Sequence, residues 1–277
     1  MPIFYDLHSH SSASDGSLSP TELVHYAQQN NVNVLAVTDH DITSGIVEAR
    51  QAAQELDISV IAGVEISVIW RKQTLHILGL NIDIDDKALQ AGLLQIRSSR
   101  IQRAQKIGER LDKAGIFNTY EQAKAISNGE NVTRTHFAKV LIQDGHAKDM
   151  KQVFKRFLVP GKPGYVAGEW AAMEEALLWI KNAGGISVIA HPARYRLTAT
   201  KMRLMIEEFI EAGGQGIEVI SGSHSTDESI RIAALARKYN LLASRGSDFH
   251  DPAIPYINMK TLPSLPSDLK PVWEGWL

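Results

Sequence analysis

The 277-residue sequence contains no cysteine, which excludes a disulfide framework and any metal site made of thiolates. Its longest apolar stretch, residues 58–70, is interrupted by Glu65 and is shorter than the ~20 residues that cross a bilayer. No glycine-rich nucleotide loop or Walker motif occurs, so we expect no use of ATP. The N-terminus shows no export signal, and these absences together predict a cytoplasmic protein with no membrane partner.

Net charge is small but unevenly distributed along the chain. Residues 90–165 contain 14 Lys and Arg against 6 Asp and Glu, a net charge of +8, whereas the whole chain carries −2. A basic segment in an acidic body favours an anionic substrate that approaches from one side. A solvated basic helix face would produce the same count, and charge alone does not separate the two interpretations.

Strand-like and helix-like patterns alternate along most of the chain, which is typical of βα units around a parallel sheet. The clearest helix start is at Ser19, because Ser19 can cap the helix, Pro20 suits its first position and Glu22 can complete a capping box. Residues 67–80 are expected to form a hairpin. We predict strands at residues 3–7, 32–38, 58–66, 186–190, 217–220 and 241–245, and helices at about 20–30, 44–56, 87–113, 134–144, 148–157, 173–182, 201–212 and 227–239.

A helical segment interrupts this alternation. From residue 87 the periodicity predicts a long helix with one apolar stripe and a row of basic side chains beside it. The stripe contains Ile101, Ala104, Ile107 and Leu111, and the basic row contains Arg97, Arg100, Arg103 and Lys106. We therefore predict a β/α barrel made of residues 1–89 and 166–277, with a helical insert, or cap, at residues 90–165.

Histidine and acidic residues recur where the predicted strands end, or in the hairpin. These positions are His8, His10, Asp15, His40, Glu65, His76, His191, Asp248 and His250. The C-terminal strand ends of a β/α barrel meet at one face, so we expect these side chains to converge. One histidine near a strand end is usually an ordinary loop or core residue, but nine such groups at one face require cations to neutralise them. His25 and His146 do not follow the pattern and receive no role.

Six sequence strings resemble the motif set of the PHP (polymerase and histidinol phosphatase) phosphoesterases. They are DLHSHSSASDGSLSP at 6–20, AVTDHD at 36–41, GVEIS at 63–67, LHILGL at 75–80, AHPARY at 190–195 and GSDFH at 246–250. The likeness covers essentially the whole chain, insert included. Within the family, the sequence is most similar to bacterial stand-alone proteins that dephosphorylate nucleoside 3′,5′-bisphosphates and trim short RNA from the 5′ end.

This resemblance implies a distorted (β/α)7 barrel with a small helical cap and three divalent metal ions. It assigns His8, His10, Glu65 and Asp248 to the first ion, Glu65, His76 and His191 to the second, and Asp15, His40 and His250 to the third. Oxygen and imidazole ligands accept Mn, Fe or Zn, and the resemblance favours Mn²⁺. The expected partner is a phosphorylated nucleotide or short RNA, and no obligate protein partner is inferred.

The expected reaction is hydrolysis of a phosphoester by a hydroxide that bridges two metals, with Glu65, His191 and Asp248 as the central residues. A carboxylate shared by two cations would hold them ~3.5–4 Å apart, where they clamp the attacking and leaving oxygens. Cations should also bind the phosphate. The candidates for this substrate contact are Arg134, Lys162, Arg194 and His224. Each of them could instead be an ordinary surface or loop residue.

Two rival functions share these motifs. A phosphatase acting on histidinol phosphate would use the same metals on a different alcohol, and the ligand positions do not separate the two. A PHP module that serves only as a binding domain predicts missing ligands, whereas all nine positions are present. The basic insert and the likeness over the whole chain favour a nucleotide or RNA end as the substrate.

Overall fold

Seven strands form a nearly closed barrel in the computed structural model of this chain, which describes residues 3–127, 132–254 and 259–276. An eighth, two-residue strand pairs with the third strand outside this path. The strands are β1 (Tyr5–Asp6), β2 (Val34–Val37), β3 (Ser59–Trp70), β4 (Gln73–Leu80), β5 (Ala171–Ala172), β6 (Ile186–Ile189), β7 (Gly216–Ser221) and β8 (Leu242–Gly246). The predicted distorted (β/α)7 barrel is confirmed.

The barrel sheet has the order β1-β2-β3-β4-β6-β7-β8, and its two edges meet between β8 and β1. The Leu7 N–H donates to the Arg245 carbonyl at 3.0 Å, and Ser9 pairs with Phe249 in an isolated parallel bridge. All neighbouring pairs along the barrel are parallel except those of β4, which is antiparallel to both β3 and β6. These contacts bring the loops after β1 and β8 together.

The helices of the described residues surround the barrel and build the insert. They are α1 (Pro20–Gln29), α2 (Gly45–Ala53), α3 (Lys87–Lys113), α4 (Thr119–Ile126), α5 (Arg134–Gln143), α6 (Met150–Val153), α7 (Met173–Asn182), α8 (Ala199–Glu211) and α9 (Thr226–Tyr239). The predicted capping box is present, with Ser19 accepting from the Glu22 N–H and Glu22 accepting from the Ser19 N–H. The sequence did not predict α4, and the predicted helix at 148–157 is α6 followed by a π-helical turn at Phe154–Leu158.

The predicted end of the third strand at residue 66 is wrong, because β3 continues to Trp70 and turns directly into β4. Arg71 and Lys72 form the turn with φ of 45° and 68°, the left-handed values that tight hairpins require. Glu65 therefore lies inside a strand rather than at its end. Because β4 runs against its neighbours, its first half, which contains His76, lies at the rim where the parallel strands end.

Two separate hydrophobic clusters explain how the insert is held on the barrel. The first half of α3 contributes Leu89 and Leu93 to the large core between sheet and helices. Its second half contributes Ile107 and Leu111 to a cluster built from insert residues. A distinct core supports our proposal that residues 90–165 form a cap, and the continuous α3 ties that cap to the barrel.

Within the described ranges, no helix is long and apolar enough to span a membrane.

The contact between α3 and α7 depends on the absence of a side chain at Gly92. A Cβ built there would lie 2.5 Å from the Trp179 ring, so a larger residue forces the two helices apart. We predict that Gly92→Val lowers the free energy of unfolding by about 1–3 kcal/mol, as overpacking does. Chemical denaturation measures this, with Ala91→Val, at an exposed position of the same helix, as the control. Equal losses in both variants would contradict the packing argument.

Candidate metal centre

The loops after β1 and β8 pair with each other at the barrel rim and carry five of the predicted ligands. The Asp248 N–H donates to the His8 carbonyl at 2.8 Å, and the His10 N–H donates to the Phe249 carbonyl at the same distance. His8 and His10 have no exposed surface, and Asp248 is 2% exposed. This backbone pairing places the side chains of His8, His10 and Asp248 next to one another.

The first group that could hold a cation contains His8, His10, Glu65 and Asp248. The Nε2 atoms of His8 and His10 lie 3.3 Å from Asp248 Oδ1. The same nitrogens lie 3.4 and 3.2 Å from Glu65 Oε2. Four donor atoms converging this closely fit a divalent ion with imidazole and carboxylate ligands.

A second group of possible ligands also includes the Glu65 carboxylate. Its members are His40, Glu65 and His76, with His76 Nδ1 2.8 Å from Glu65 Oε1 and His40 Nδ1 3.0 Å from Oε2. His191 Nε2 is 2.9 Å from Glu65 Oε1. Glu65 therefore belongs to both groups, which is the arrangement that two neighbouring metal ions require.

The third group contains His10, Asp15, His40 and His250, which come from the loops after β1, β2 and β8. His250 Nε2 lies 3.4 Å from Asp15 Oδ1, and His40 Nε2 lies 3.9 Å from the same oxygen. Thus all nine predicted ligands converge at one rim. The geometric groups differ in detail from the assignment that the family resemblance implies, because His40 also approaches Glu65 and His10 also approaches Asp15.

The electrostatics of these residues fit the binding of cations. Asp15 Oδ1, Glu65 Oε2 and His191 Nδ1 are buried atoms that make no hydrogen bond within the described residues. Burial raises the pKa of Glu65, but the charges of His76, His40 and His8 outweigh it and hold that pKa well below its usual value. Buried carboxylates that stay ionised and keep one oxygen without a hydrogen bond are good ligands for divalent ions.

Asp39, which the sequence did not single out, holds the loop that carries Asp15. Its Oδ1 accepts hydrogen bonds from the Ser11 N–H at 2.8 Å and the Ser14 hydroxyl at 2.5 Å. Its Oδ2 accepts from the Ser11 hydroxyl at 2.6 Å. Asp39 is 1% exposed and lies next to His40, so it couples the positions of two predicted ligands.

Three arginines of the insert line the same cavity of about 200 Å³ as the ligand groups: Arg100, Arg103 and Arg134. Arg100 Nε donates to Asp41 Oδ2 at 2.6 Å, and the guanidinium groups of Arg100 and Arg103 lie 4.7 and 5.2 Å from the centre of the Trp170 ring. Burial lowers the pKa of Arg103 to about 9, and the charges of Arg134 and Arg100 add to that shift. The cavity is therefore positively charged on the side that faces the insert.

For Arg100 and Arg103, the interpretation of the basic row as a solvated helix face is wrong. They are 6% and 9% exposed, whereas Ile101, predicted on the buried stripe, is 41% exposed. The helix is rotated so that these two guanidinium groups face the barrel rim. Their three-residue spacing was visible in the sequence, but the direction in which they point follows from how α3 packs on the barrel.

The four predicted substrate contacts divide into two pairs. Arg134 and Arg194 line the cavity, and Arg194 Nη1 pairs with Asp248 Oδ2. Lys162 is exposed and is not among the cavity-lining residues. His224 also lies outside the lining, with its Nε2 3.4 Å from the Ala193 N–H. Arg134 and Arg194 therefore lie where a side chain could contact a phosphate in the cavity.

The predicted cap of α5 is present and faces the cavity. Thr133 Oγ1 accepts from the Thr135 N–H at 3.2 Å and lies 3.3 Å from Asp15 Oδ2. Thr133, Arg134 and Thr135 all line the cavity, so the positive end of the helix dipole adds to the charge there. This contact also links the insert directly to the third ligand group.

Fold and site together define a TIM-like barrel with a candidate multi-metal centre at its rim. A family model described as the PHP domain matches residues 6–185, and the chain belongs to this family. The 3′,5′-nucleoside bisphosphate phosphatase of Chromobacterium violaceum is 46% identical over 270 residues, 97% of this chain and 95% of that protein. The 5′-3′ exoribonuclease Rnm of Escherichia coli K12 is 44% identical over 276 residues, 99% of this chain and 94% of that protein.

One solved structure has nearly the same fold. The structure of an amidohydrolase from Chromobacterium violaceum, with bound sulfate and no metal, superposes with a TM-score of 0.93 at 46% identity. The match covers 98% of this chain and 94% of that chain. The likeness therefore extends over the insert as well as the barrel.

We predict that Mn²⁺ raises the thermal unfolding midpoint of the chelator-treated protein, because an ion that binds only the native state stabilises it. His10→Ala should remove most of that rise, since His10 belongs to two ligand groups. Differential scanning calorimetry with and without Mn²⁺ measures the difference. His25→Ala, at an exposed position of α1, is the matched control and should keep the full rise. An unchanged rise in His10→Ala would argue against these groups.

Proposed function

We propose that this chain is a metal-dependent phosphoesterase that hydrolyses nucleoside 3′,5′-bisphosphates and releases nucleotides from the 5′ end of short 5′-phosphorylated RNA. The observation on which the proposal depends is that ligand groups and Arg100, Arg103 and Arg134 share one cavity. A substrate with two phosphates matches a site with two regions of positive charge, one at the cations that the ligand groups would hold and one at the three arginines. The names of the bisphosphate phosphatase and exoribonuclease relatives support this substrate class.

The three ligand groups support three divalent ions, with Mn²⁺ proposed and Fe²⁺ or Zn²⁺ compatible with the same donors. When bound, such ions activate water for attack on phosphorus and neutralise the charge on the phosphoryl oxygens. His8, His10, Glu65 and Asp248 would hold one ion, Glu65 with His40, His76 and His191 a second, and Asp15 with His40 and His250 a third. Glu65 positions the first two sites relative to each other.

The residues of the insert would hold the second phosphate of the substrate. Arg134 and the start of α5 line the cavity, where charge and helix dipole both favour an anion. Arg100 and Arg103 lie behind it, held by Asp41, by Trp170 and by the Val166 carbonyl, which accepts from Arg103 Nε at 2.9 Å. Arginines that are held in advance lose little freedom when they bind a phosphate.

The cavity also explains a preference for chain ends. A volume of about 200 Å³ accommodates a phosphate and part of a nucleotide but not the interior of a folded RNA. The scissile phosphate would lie at the ligand groups while the terminal 5′-phosphate contacts the arginines. An enzyme acting on cellular RNA would work in the cytoplasm.

The decisive assay compares three substrates with Mn²⁺-loaded protein: adenosine 3′,5′-bisphosphate, histidinol phosphate and a short RNA with either a 5′-phosphate or a 5′-hydroxyl. We expect release of phosphate from the bisphosphate, 5′-to-3′ release of nucleotides from the phosphorylated RNA and loss of activity in EDTA. Equal degradation of the 5′-hydroxyl RNA would contradict recognition of the terminal phosphate. Faster turnover of histidinol phosphate would favour the rival phosphatase.

Arg134→Ala should leave the bound metal unchanged and lower kcat/KM toward adenosine 3′,5′-bisphosphate. The expected loss of transition-state stabilisation is about 2–4 kcal/mol. Arg134→Lys should recover part of that loss, because the ammonium keeps the charge but not the planar fork. Steady-state kinetics and metal analysis measure both effects. Arg156→Ala, an exposed arginine of the same insert, should retain wild-type values. Wild-type kcat/KM in Arg134→Ala would remove the insert from the proposed site.

A further inference from the structure

Glu218 is a buried carboxylate on β7 that contacts two of the candidate metal ligands, His8 and His191. It has no exposed surface. Its Oε1 lies 3.0 Å from His8 Nδ1, and its Oε2 accepts a hydrogen bond from the His191 N–H at 2.6 Å. Neither contact was foreseen from the sequence, in which Glu218 is one residue of an apolar strand.

The contact with His8 determines which ring nitrogen faces the ligand group. Nε2 of His8 points toward Glu65 and Asp248, whereas Nδ1 points toward Glu218. A histidine binds a cation through a nitrogen that carries no proton, so the remaining proton must lie on Nδ1. A carboxylate that accepts this proton selects that tautomer and orients the ring.

The contact with His191 supports an unusual backbone conformation. His191 has φ of 29° and ψ of 56°, in the left-handed region that residues with a side chain rarely adopt. The hydrogen bond from its N–H to Glu218 holds the chain where this conformation begins. Tyr195 assists, because its hydroxyl accepts from the His76 N–H at 2.9 Å and donates to the Ala190 carbonyl at 2.8 Å.

The local packing leaves Glu218 little freedom to move. The register of β7 against β8 shifts between Glu218 and Ile220, a bulge of the kind that redirects a side chain near active sites. A Cβ added at Gly246 would lie 2.2 Å from His8 Cβ and 2.9 Å from Glu218 Oε1. Glycine at position 246 therefore lets the carboxylate and the imidazole approach each other closely.

A direct role for Glu218 as a metal ligand does not fit these contacts. One of its oxygens accepts the His191 N–H, and the other lies at hydrogen-bond distance from His8 Nδ1 on the side away from Glu65. The three groups of convergent ligand atoms found in the described ranges do not include it. Its position is that of a residue that acts on the ligands rather than on the ion.

We propose that Glu218 is a positioning residue for the metal centre, which orients the His8 imidazole through Nδ1 and anchors the His191 loop through its backbone amide. One carboxylate thus couples ligands that come from β1 and β6. This inference rests on the metal dependence contained in the proposed function.

Glu218→Gln tests the proposal with the smallest change of shape. A carboxamide has one acceptor oxygen, so it can serve the His191 N–H or the His8 Nδ1–H but not both. We expect the dissociation constant for Mn²⁺ to rise roughly 10- to 100-fold, as for other residues that support metal ligands. Isothermal titration of the chelator-treated protein with Mn²⁺ measures it, and far-UV circular dichroism checks the fold.

Glu208→Gln is the matched control. Glu208 contacts Trp70 and Arg71, away from the ligand groups, so this variant should bind Mn²⁺ with wild-type affinity. A second readout is the proton NMR spectrum of the Zn²⁺-loaded protein. Wild type and Glu208→Gln should show a downfield Nδ1–H resonance of His8, whereas Glu218→Gln should lack it or shift it upfield.

Two outcomes separate this inference from the proposed function. Wild-type Mn²⁺ affinity and an unchanged His8 resonance in Glu218→Gln would overturn the positioning role alone. Failure of the wild-type protein to bind Mn²⁺ would overturn the metal dependence itself. If Glu218→Gln does not fold, Glu218→Asp keeps the charge but is too short to reach both donors, and it must show the same loss of affinity for the proposal to stand.

Discussion

Five histidine nitrogens lie within 3.4 Å of the Glu65 carboxylate, which has no exposed surface, and the organisation of the barrel rim depends on this one buried charge. Removing an ionised carboxylate from water is costly unless positive charge compensates for it. The five imidazoles come from the ends of β1, β2 and β6 and from β4. The loops must therefore converge on Glu65, and the donor set they form suits divalent cations better than protons alone.

The long β3–β4 hairpin makes this convergence possible. Because β3 extends past Glu65 to Trp70, the carboxylate is held by strand hydrogen bonds on both sides rather than by a mobile loop. The reversed direction of β4 then brings His76 to the same rim. A regular alternation of parallel strands would place the start of the fourth strand at the opposite end of the barrel.

A second constraint is the continuity of α3, which belongs to both hydrophobic cores. A helix that packs at both ends cannot rotate independently, so Arg100 and Arg103 are held facing the cavity. Their positive charge faces the carboxylates of the ligand groups across the cavity. A phosphorylated substrate can satisfy both sides, because its oxygens interact with cations at the centre and with guanidinium groups at the insert.

The sequence by itself predicted a β/α barrel with a helical insert, and it predicted that His and acidic residues after the parallel strands converge, because the C-terminal ends of such strands meet at one face. The convergence of Glu65 and His76 depends instead on the length of β3 and the reversed direction of β4. The sequence also identified Arg134 as a residue at a helix start. Tertiary structure alone decided that Arg100 and Arg103 are buried at the site, that Lys162 and His224 are not, and that Glu218 supports His8. These contacts depend on helix rotation, strand direction and pairs of residues up to 210 positions apart, and local periodicity contains no information about such distances.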